Sequence, residues 1–471
     1  MAGMKRSRGK SPRRGPKKDA ARTRLTVQIG ALNEQGAGIA RRGRRQFRVE
    51  KTLPGEAVLI EYAPERPRKR RIRLLQILHS APERRTPPCD YFSHCGGCQL
   101  QHLAYEAQLT FKTQLLSDLL QSYPGLGGIT VHPPEGMPEP LYYRNKTQLP
   151  FQERAGKAVF GLFQSGSHEL SAIDQCLVET RDANRVLHLV RDWANQHHIP
   201  IYNEQTHQGF LRHVVVRRSI FTHQLMVVLV VTSREIPKWQ ILLGELKNHF
   251  SNLHSVQLNL NPERTNLVLG AENIVIWGEP YIEEQLGEQK FRVYPNTFFQ
   301  INPVQMVKLL DRLKQITGFR KPDRVLDLYC GVGAIALAVA PLVQAVTGID
   351  TVAASITAAQ QNMTDNTIAN ARFLCEDAGA GFRRLQEEGH PADVIITDPP
   401  RKGLSEDLIR MICAARPRKV VYVSCNPATL VRDLAIFQTQ GYHTGEIFPF
   451  DMFPQTHHVE SLVALEPGPP G

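Results

Sequence analysis

The chain has 471 residues, of which 42% are hydrophobic, and this length allows roughly two to four domains with buried cores. Its apolar stretches are far shorter than a membrane span and its N-terminus is polar and basic, which argues against membrane and secreted classes and predicts a cytoplasmic protein. The net charge of +12 is concentrated near the N-terminus, because residues 1–73 hold 22 Lys and Arg against 6 Asp and Glu. This distribution favours a segment that binds a polyanion such as nucleic acid.

The first 80 residues contain two segments of different character. Residues 1–23 are rich in Lys, Arg, Gly, Pro and Ser, so they are predicted to form a disordered basic tail, with a solubilising tail as the simpler alternative. Residues 24–80 alternate short apolar runs, such as Leu25–Ile29 and Ala57–Tyr62, with Gly and Pro turns. This rhythm predicts a small β-barrel with basic strands that bind RNA, and it resembles the TRAM domain, an OB-like RNA-binding barrel.

Residues 81–285 are predicted to form an α+β domain with antiparallel strands and a helix over about residues 104–120. This segment also holds four cysteines that are candidates for a metal centre: Cys89, Cys95, Cys98 and Cys176. The first three lie within ten residues of one another, and a thiolate from a distant segment can complete a four-ligand site. Zinc and an iron–sulfur cluster both accept four thiolates, so both remain open on spacing alone.

Residues 286–471 alternate strand and helix patterns, which predicts a mostly parallel, doubly wound α/β sheet of Rossmann-like type with ligands at its carboxyl edge. The predicted strands are Arg324–Tyr329, Val346–Asp350, Ala371–Leu374, Val394–Thr397, Val420–Ser424 and Glu460–Leu465.

A glycine-rich turn, Gly331-Val332-Gly333, follows the first of these strands and precedes an alanine-rich helix. Glycines at such a turn let the backbone approach a nucleotide cofactor at the helix N-terminus. The pattern fits both NAD and S-adenosylmethionine. Asp327 before the first glycine and the later Asp398-Pro399-Pro400 loop favour S-adenosylmethionine, and Asp350 at the end of the next strand is suited to ribose hydroxyls in either case.

Cys425 is the candidate nucleophile. It ends the apolar run Val421–Ser424 and precedes Asn426-Pro427, which places a thiol at the carboxyl edge of the sheet. A free cysteine is more often inert core filler, but the Asp398 loop upstream and Glu460 downstream raise the expectation of covalent chemistry.

Taken together and in order, these motifs closely resemble the RNA uracil-5-methyltransferase family, from about residue 24 to 468, and most closely its bacterial 23S ribosomal RNA branch with a TRAM domain and a 4Fe–4S cluster. The motifs are the four cysteines, Phe299-Gln300-Ile301-Asn302, the DLYCGVG turn, Asp398-Pro399-Pro400-Arg401-Lys402-Gly403, Val423-Ser424-Cys425-Asn426-Pro427 and His458-Val459-Glu460.

The resemblance implies a role for each matching residue. Cys425 would be the nucleophile and Glu460 the base that removes the carbon-5 proton, while Cys89, Cys95, Cys98 and Cys176 would hold the 4Fe–4S cluster. The residues implied to bind S-adenosylmethionine are Gln300, Tyr329, Asp350, Asp377 and Asp398. Two positions depart from the family pattern: Asp350 stands where Glu is common, and Ala334 replaces an Asn that many members carry after the glycine turn.

The chemistry of uracil supports these roles. Carbon 5 becomes nucleophilic only after a thiolate adds to carbon 6, and a base must later remove the carbon-5 proton. The target base must also leave its stack, and Phe298 or Phe299 could receive it.

Several alternatives stay open. The runner-up function is methylation of a base amino group, although such enzymes normally close the Asp-Pro-Pro loop with an aromatic residue where this chain has Arg401. A non-enzymatic RNA-binding protein is a further possibility. We expect an RNA partner, with 23S ribosomal RNA favoured over transfer RNA, and a monomer without membrane association.

Overall fold

In the computed structural model, the described residues are 22–63, 72–164 and 169–469, so the predicted basic tail lies outside them except for its last two residues. The chain forms two compact units, Met1–Arg84 and Arg85–Gly471. Across the described residues, no helix has both the length and the apolar character needed to cross a membrane.

The first unit contains a five-stranded antiparallel sheet in the order β3-β2-β1-β4-β5. The strands are β1 (Thr23–Leu32), β2 (Gly38–Arg42), β3 (Arg45–Val49), β4 (Ala57–Tyr62) and β5 (Arg73–His79). The first half of β1 pairs with β4 and its second half pairs with β2, with a bulge between Ile29 and Ala31, so β1 curls across the sheet. The pairings among the described residues do not join β3 to β5, and the closed OB-like barrel therefore stays a prediction.

The second unit begins with a helix and a mixed seven-stranded sheet in the order β12-β11-β10-β9-β6-β7-β8. Its elements are α1 (Tyr105–Gln121), β6 (Lys146–Arg154), β7 (Lys157–Phe163), β8 (Leu170–Ala172), α2 (Arg181–Gln196), β9 (Leu211–Arg218), β10 (Leu225–Val231), α3 (Trp239–His249), β11 (Leu253–Leu260) and β12 (Glu272–Gly278). The predicted helix over residues 104–120 corresponds to α1. The prediction of antiparallel strands is wrong for one pair, because α3 is a crossover that makes β10 and β11 parallel.

A hairpin and a helix connect this sheet to the next one. The hairpin consists of β13 (Ile282–Leu286) and β14 (Gln289–Val293), and α4 (Pro303–Thr317) follows it. Asn302 caps α4 by accepting a hydrogen bond from the backbone of Gln305. The predicted boundary at residue 285 falls inside this hairpin, and the division of the chain into four domains stays a prediction.

The C-terminal sheet has seven strands in the order β17-β16-β15-β18-β19-β21-β20. Its elements are β15 (Arg324–Leu328), α5 (Ala334–Val339), a short 3-10 helix (Ala340–Leu342), β16 (Ala345–Asp350), α6 (Ala353–Asp365), β17 (Ala371–Cys375), α7 (Ala378–Glu387), β18 (Val394–Thr397), α8 (Glu406–Ala415), β19 (Lys419–Ser424), α9 (Pro427–Thr439), β20 (Tyr442–Phe450) and β21 (Glu460–Pro467). All six predicted strands are present, and β20 is an additional one.

The direction of these strands places the site. Strands β15 to β19 are parallel, whereas β21 runs antiparallel to both β19 and β20. The strand order reverses at β15, which has β16 on one side and β18 on the other. A crevice opens at such a switch point beyond the carboxyl ends of the strands. The carboxyl ends of β15, β16, β18 and β19 are followed by Tyr329, Thr351, Asp398 and Cys425.

The two large sheets of the second unit share an apolar core. Val215 of β9 and Met226 of β10 belong to the same buried cluster as Met306 of α4 and Val325 of β15. This common core ties the sheet of residues 146–278 to the crevice of the C-terminal sheet.

Candidate active site

A small pocket lies at the switch point, beside the turn that joins β15 to α5. Its lining includes three of the five predicted cofactor residues, Gln300, Tyr329 and Asp398, together with Phe298 and Ala334. The turn needs left-handed backbone at Tyr329, Gly331 and Gly333, with φ of 66°, 54° and 83°. A Cβ on Gly333 would approach the Phe373 ring to 3.0 Å, so both conformation and space favour glycine there.

Asp350 holds this turn from the neighbouring strand. Its carboxylate accepts a hydrogen bond from the backbone N–H of Gly331 at 3.0 Å and another from that of Val352 at 2.8 Å. A carboxylate can accept about four hydrogen bonds, so further acceptor positions are available for a ribose.

Asp377 lies outside the lining of this pocket, and its predicted cofactor role stays a prediction. Its Oδ1 caps α7 by accepting hydrogen bonds from Gly379 and Ala380. Its negative charge does raise the pKa of the Tyr329 hydroxyl, after the larger effect of burial, so it lies within electrostatic range of the pocket.

Asp327 also lines the pocket, although the sequence indicated only that its position before the glycine turn favours S-adenosylmethionine over NAD. It is fully buried on β15, and Oδ2 accepts a hydrogen bond from the backbone of Ala336 at 3.0 Å. Its Oδ1 has no hydrogen-bond partner among the described residues. Burial, and then the charge of Asp398, raises the pKa of Asp327 well above its usual range. An unpaired buried acceptor in a pocket suits a ligand that brings hydrogen-bond donors, such as the amino group of S-adenosylmethionine.

Cys425 and Glu460 lie at adjacent ends of neighbouring strands. Strands β19 and β21 are antiparallel, and Ser424 of β19 pairs with Ser461 of β21. Cys425 and Glu460 occupy the next positions along these two strands, so they are neighbours at this edge of the sheet. Cys425 is partly exposed, whereas Glu460 is only 2% exposed. The thiol also precedes the N-terminus of α9, which Asn426 caps.

Cys425, Asp398 and Glu460 all have raised pKa values, and burial is the largest cause for each of them. Burial raises the pKa of the Cys425 thiol to about 11, the charges of Glu460 and Asp398 act in the same direction, and Arg401 opposes them. Burial also raises the pKa of Asp398 to about 7. The pKa of Glu460 lies well above its usual range because of burial and the nearby Asp398, and its Oε1 has no hydrogen-bond partner among the described residues. The two carboxyl groups therefore titrate as a pair.

Arg401 lies within electrostatic range of Cys425 and is held by neighbouring elements. Its Nη2 donates a hydrogen bond to Nδ1 of His458 at 3.1 Å, and its backbone carbonyl accepts one from Nδ2 of Asn426 at 2.8 Å. Burial, together with the charges of His457 and Arg401, lowers the pKa of His458 to about 3, so its ring is a neutral acceptor. Arg401 and His458 are motif residues to which sequence analysis gave no role, because only the fold brings them together.

Among the four predicted metal cysteines, Cys98 lies within electrostatic range of the other three. Burial raises the pKa of Cys98 to about 12, and the neighbouring thiols of Cys95 and Cys89 add to this effect. The pKa of Cys176 is raised well above its usual range by burial, then by Glu179 and Cys98. The backbone N–H of Gly97 donates a hydrogen bond to Sγ of Cys95 at 3.4 Å. An all-thiol set of this kind suits zinc or an iron–sulfur cluster.

These cysteines are not arranged as a ready-made metal site. Within residues 22–63, 72–164 and 169–469, no three His, Cys, Asp or Glu side chains form a group that could hold a metal ion.

The fold and the site define an S-adenosylmethionine-dependent methyltransferase. The sequence model of the tRNA (uracil-5-)-methyltransferase family matches residues 104–467, and the chain belongs to this family of RNA methyltransferases. It is 38% identical over 442 residues to a protein of Halalkalibacterium halodurans described as an uncharacterized RNA methyltransferase, covering 94% of this chain and 96% of the relative. An RNA methyltransferase of Caldanaerobacter subterraneus, also described as uncharacterized, is 37% identical over 442 residues, covering 93% and 97%.

A solved structure supports the same family. The chain is similar to the tRNA (uracil-54, C5)-methyltransferase of Pyrococcus abyssi in complex with S-adenosyl-L-homocysteine, with a TM-score of 0.74 and 28% identity. The likeness covers 93% of this chain and 99% of that one.

Proposed function

We propose that this protein transfers a methyl group from S-adenosylmethionine to carbon 5 of a uridine in RNA, through a covalent adduct between Cys425 and carbon 6 of the base. The observation that carries the proposal is the adjacency of Cys425 and Glu460 at the ends of β19 and β21, beside a pocket that Asp398 shares.

Cys425 begins the reaction. Its thiolate adds to carbon 6 of uracil, and the electron pair of the 5,6 double bond moves to the carbonyl at carbon 4, so that carbon 5 becomes nucleophilic. S-adenosylmethionine, when bound, supplies the methyl group that carbon 5 takes up. Because burial keeps the Cys425 pKa near 11, the thiol must lose its proton before attack, and the Arg401 cation favours that loss.

Glu460 completes the reaction. After methyl transfer carbon 5 still carries a proton, and its removal by a carboxylate re-forms the 5,6 double bond and expels the Cys425 thiolate. The raised pKa of Glu460 makes its ionised form a stronger base, and Asp398 is the neighbour that titrates with it.

The target base needs a surface on which to stack once it leaves the RNA helix. Of the two candidate aromatic residues, Phe299 is 4% exposed and packs against Phe291, whereas Phe298 is 65% exposed and lines the pocket. Phe298 is therefore the residue that we assign to the base. Gln300, Tyr329, Asp350 and Asp398 are assigned to the cofactor, with Asp377 in a supporting electrostatic role.

We assign 23S ribosomal RNA as the substrate, on the motif resemblance of the four cysteines and the TRAM-like N-terminal segment. Transfer RNA is the second candidate, because the matched family and the Pyrococcus abyssi structure are both named for tRNA uracil-5 methylation. In either case the basic residues of the first 73 positions would contact phosphates.

We also assign a 4Fe–4S cluster to Cys89, Cys95, Cys98 and Cys176. The support is the proximity of Cys98 to the other three thiols, seen in their effects on thiol pKa values, and an all-sulfur donor set. Bound zinc is the competing occupant. Nothing in the methylation chemistry requires an electron, so the cluster is assigned a structural role.

The test is to incubate the purified protein with S-adenosylmethionine and unmodified 23S ribosomal RNA or transfer RNA, then to digest the RNA and separate the nucleosides. We expect 5-methyluridine from the ribosomal RNA. 5-Methyluridine from transfer RNA alone would reassign the substrate, and a methylated amino group on adenine or guanine would overturn the proposed chemistry.

A further inference from the structure

The connection between β20 and β21, residues 451–459, leads directly into Glu460 and has no helix or strand of its own. Its conformation must therefore be fixed by contacts from elsewhere. One set of these contacts comes from residues 99–112, which are more than 300 positions away in the chain and include the first turns of α1. Glu135, Tyr143 and Asn302 also form hydrogen bonds with the connection.

One of the contacts is a buried ion pair. The Lys112 ammonium donates to Oδ1 of Asp451, and both side chains are fully buried. Lys112 also reaches the carbonyl of Phe453 at 3.3 Å. The Tyr105 hydroxyl donates to Oδ2 of Asp451 at 2.7 Å and accepts a hydrogen bond from the backbone N–H of Met137 at 2.7 Å.

A second set of contacts holds Gln455, whose φ of 70° lies in the left-handed region. Gln108 and Gln455 share two hydrogen bonds: Nε2 of Gln108 donates to Oε1 of Gln455 at 3.0 Å, and the backbone N–H of Gln455 donates to Oε1 of Gln108 at 3.1 Å. The backbone N–H groups of Gln99 and Leu100 both donate to the carbonyl of Gln455, at 3.1 and 3.0 Å. A strained residue persists only where its surroundings fix it in this way, and such residues cluster at functional sites.

These contacts are better suited to fixing geometry than to adding stability. Replacing a buried ion pair with apolar residues of similar size is often neutral or stabilising, because removing the charges from water is costly. The ion pair and the hydrogen bonds of Tyr105 and Gln108 instead fix the positions of the groups that they contact. They therefore define the path of the backbone over the nine residues before Glu460.

We propose that Tyr105, Gln108 and Lys112 are positioning residues for the base. They hold residues 451–459 so that the Glu460 carboxylate meets the carbon-5 proton of the methylated adduct. The inference rests on the proposed function, since it assumes that Glu460 removes that proton. Misplacing a catalytic group by about 1 Å costs up to roughly a hundredfold in rate, and proton removal is the step that would slow.

Tyr105→Phe is the test variant because it removes only the hydroxyl. Tyr442→Phe is the matched control: Tyr442 is 2% exposed in the same unit, and its hydroxyl donates to the carbonyl of Pro417 at 3.3 Å. Single turnovers with labelled S-adenosylmethionine are followed on denaturing gels. We expect Tyr105→Phe to accumulate methyl-labelled covalent RNA–protein and to release product at least about tenfold more slowly, with unchanged cofactor binding. Tyr442→Phe should behave as wild type.

A Lys112→Met/Asp451→Leu double variant removes both buried charges without leaving one unpaired. We expect this variant to unfold cooperatively and to accumulate the same covalent adduct.

The inference is overturned if Tyr105→Phe releases product at the normal rate, or if it loses turnover and thermal stability together without accumulating the adduct. Glu460→Gln distinguishes the positioning role from the role of the base. If Glu460→Gln accumulates the adduct and Tyr105→Phe does not, only the positioning role falls; if neither does, the assigned base falls with it.

Discussion

Replacing Arg401 with Gln should slow the attack of Cys425 in a manner that depends on pH and salt. With a thiol pKa of about 11, roughly one thiol in ten thousand is ionised at pH 7, and that fraction rises about tenfold per pH unit. Arg401 is the cation that opposes the raised pKa, so its loss shifts the pKa upward. Arg401 is exposed, and an exposed charge contributes about 0.2–1 kcal/mol, which corresponds to at most about a fivefold slower attack at neutral pH.

The assay is the rate of covalent adduct formation with RNA that carries 5-fluorouridine, because fluorine at carbon 5 cannot be removed as a proton and the adduct is trapped. Lys402→Gln is the matched control, since it removes one exposed positive charge from the same loop. Both proteins should show rates that climb with pH between about 6 and 9, with Arg401→Gln lower at each pH and the difference reduced by salt. A rate that does not change with pH, or an equal decrease in Lys402→Gln, would rule out this role for Arg401.

Three further outcomes are expected. Glu460→Gln should still methylate but stall as a methyl-labelled RNA–protein adduct, and normal product release would point to Asp398 as the base. Cys98→Ser should lose the bound iron and the brown absorbance of anaerobically purified protein, whereas Cys413→Ser should keep both; stoichiometric zinc without iron would contradict the cluster. Removing residues 1–80 should weaken RNA binding far more than it slows turnover at saturating RNA. The slope of the log binding constant against log salt concentration should flatten by about 0.7 for each phosphate that the truncated protein no longer binds. An unchanged slope would mean that this segment does not contact the substrate.

The parallel sheet and its edge could be predicted from the sequence because the signals are local. Each strand is a short apolar run, and the residue that follows it must lie at the carboxyl edge, so the positions of Asp398 and Cys425 at that edge were predictable. Strand β20 was missed, since its sequence mixes Gly445, Glu446 and Pro449 with apolar residues and includes a bulge.

The remaining features depend on contacts between distant segments. Asp377 looks like an edge residue after a strand, but its side chain is engaged in capping α7. The contacts of Arg401 with His458 and of Lys112 with Asp451 join residues 57 and 339 positions apart. No local periodicity reports such pairs, because they form only when the whole unit folds. The parallel pairing of β10 and β11 likewise depends on the path of α3.

The proposed function depends above all on covalent attack by Cys425 on uracil. A decisive experiment is to trap the protein with 5-fluorouridine RNA and S-adenosylmethionine, digest the complex, and locate the attached nucleotide by mass spectrometry, with Cys425→Ala and Cys413→Ala proteins in parallel. We expect a methylated 5-fluorouridine nucleotide on the peptide that contains Cys425, no adduct from Cys425→Ala, which still binds S-adenosylmethionine, and a normal adduct from Cys413→Ala. Attachment to another residue, or turnover by Cys425→Ala above about a hundredth of wild type, would contradict covalent catalysis by Cys425.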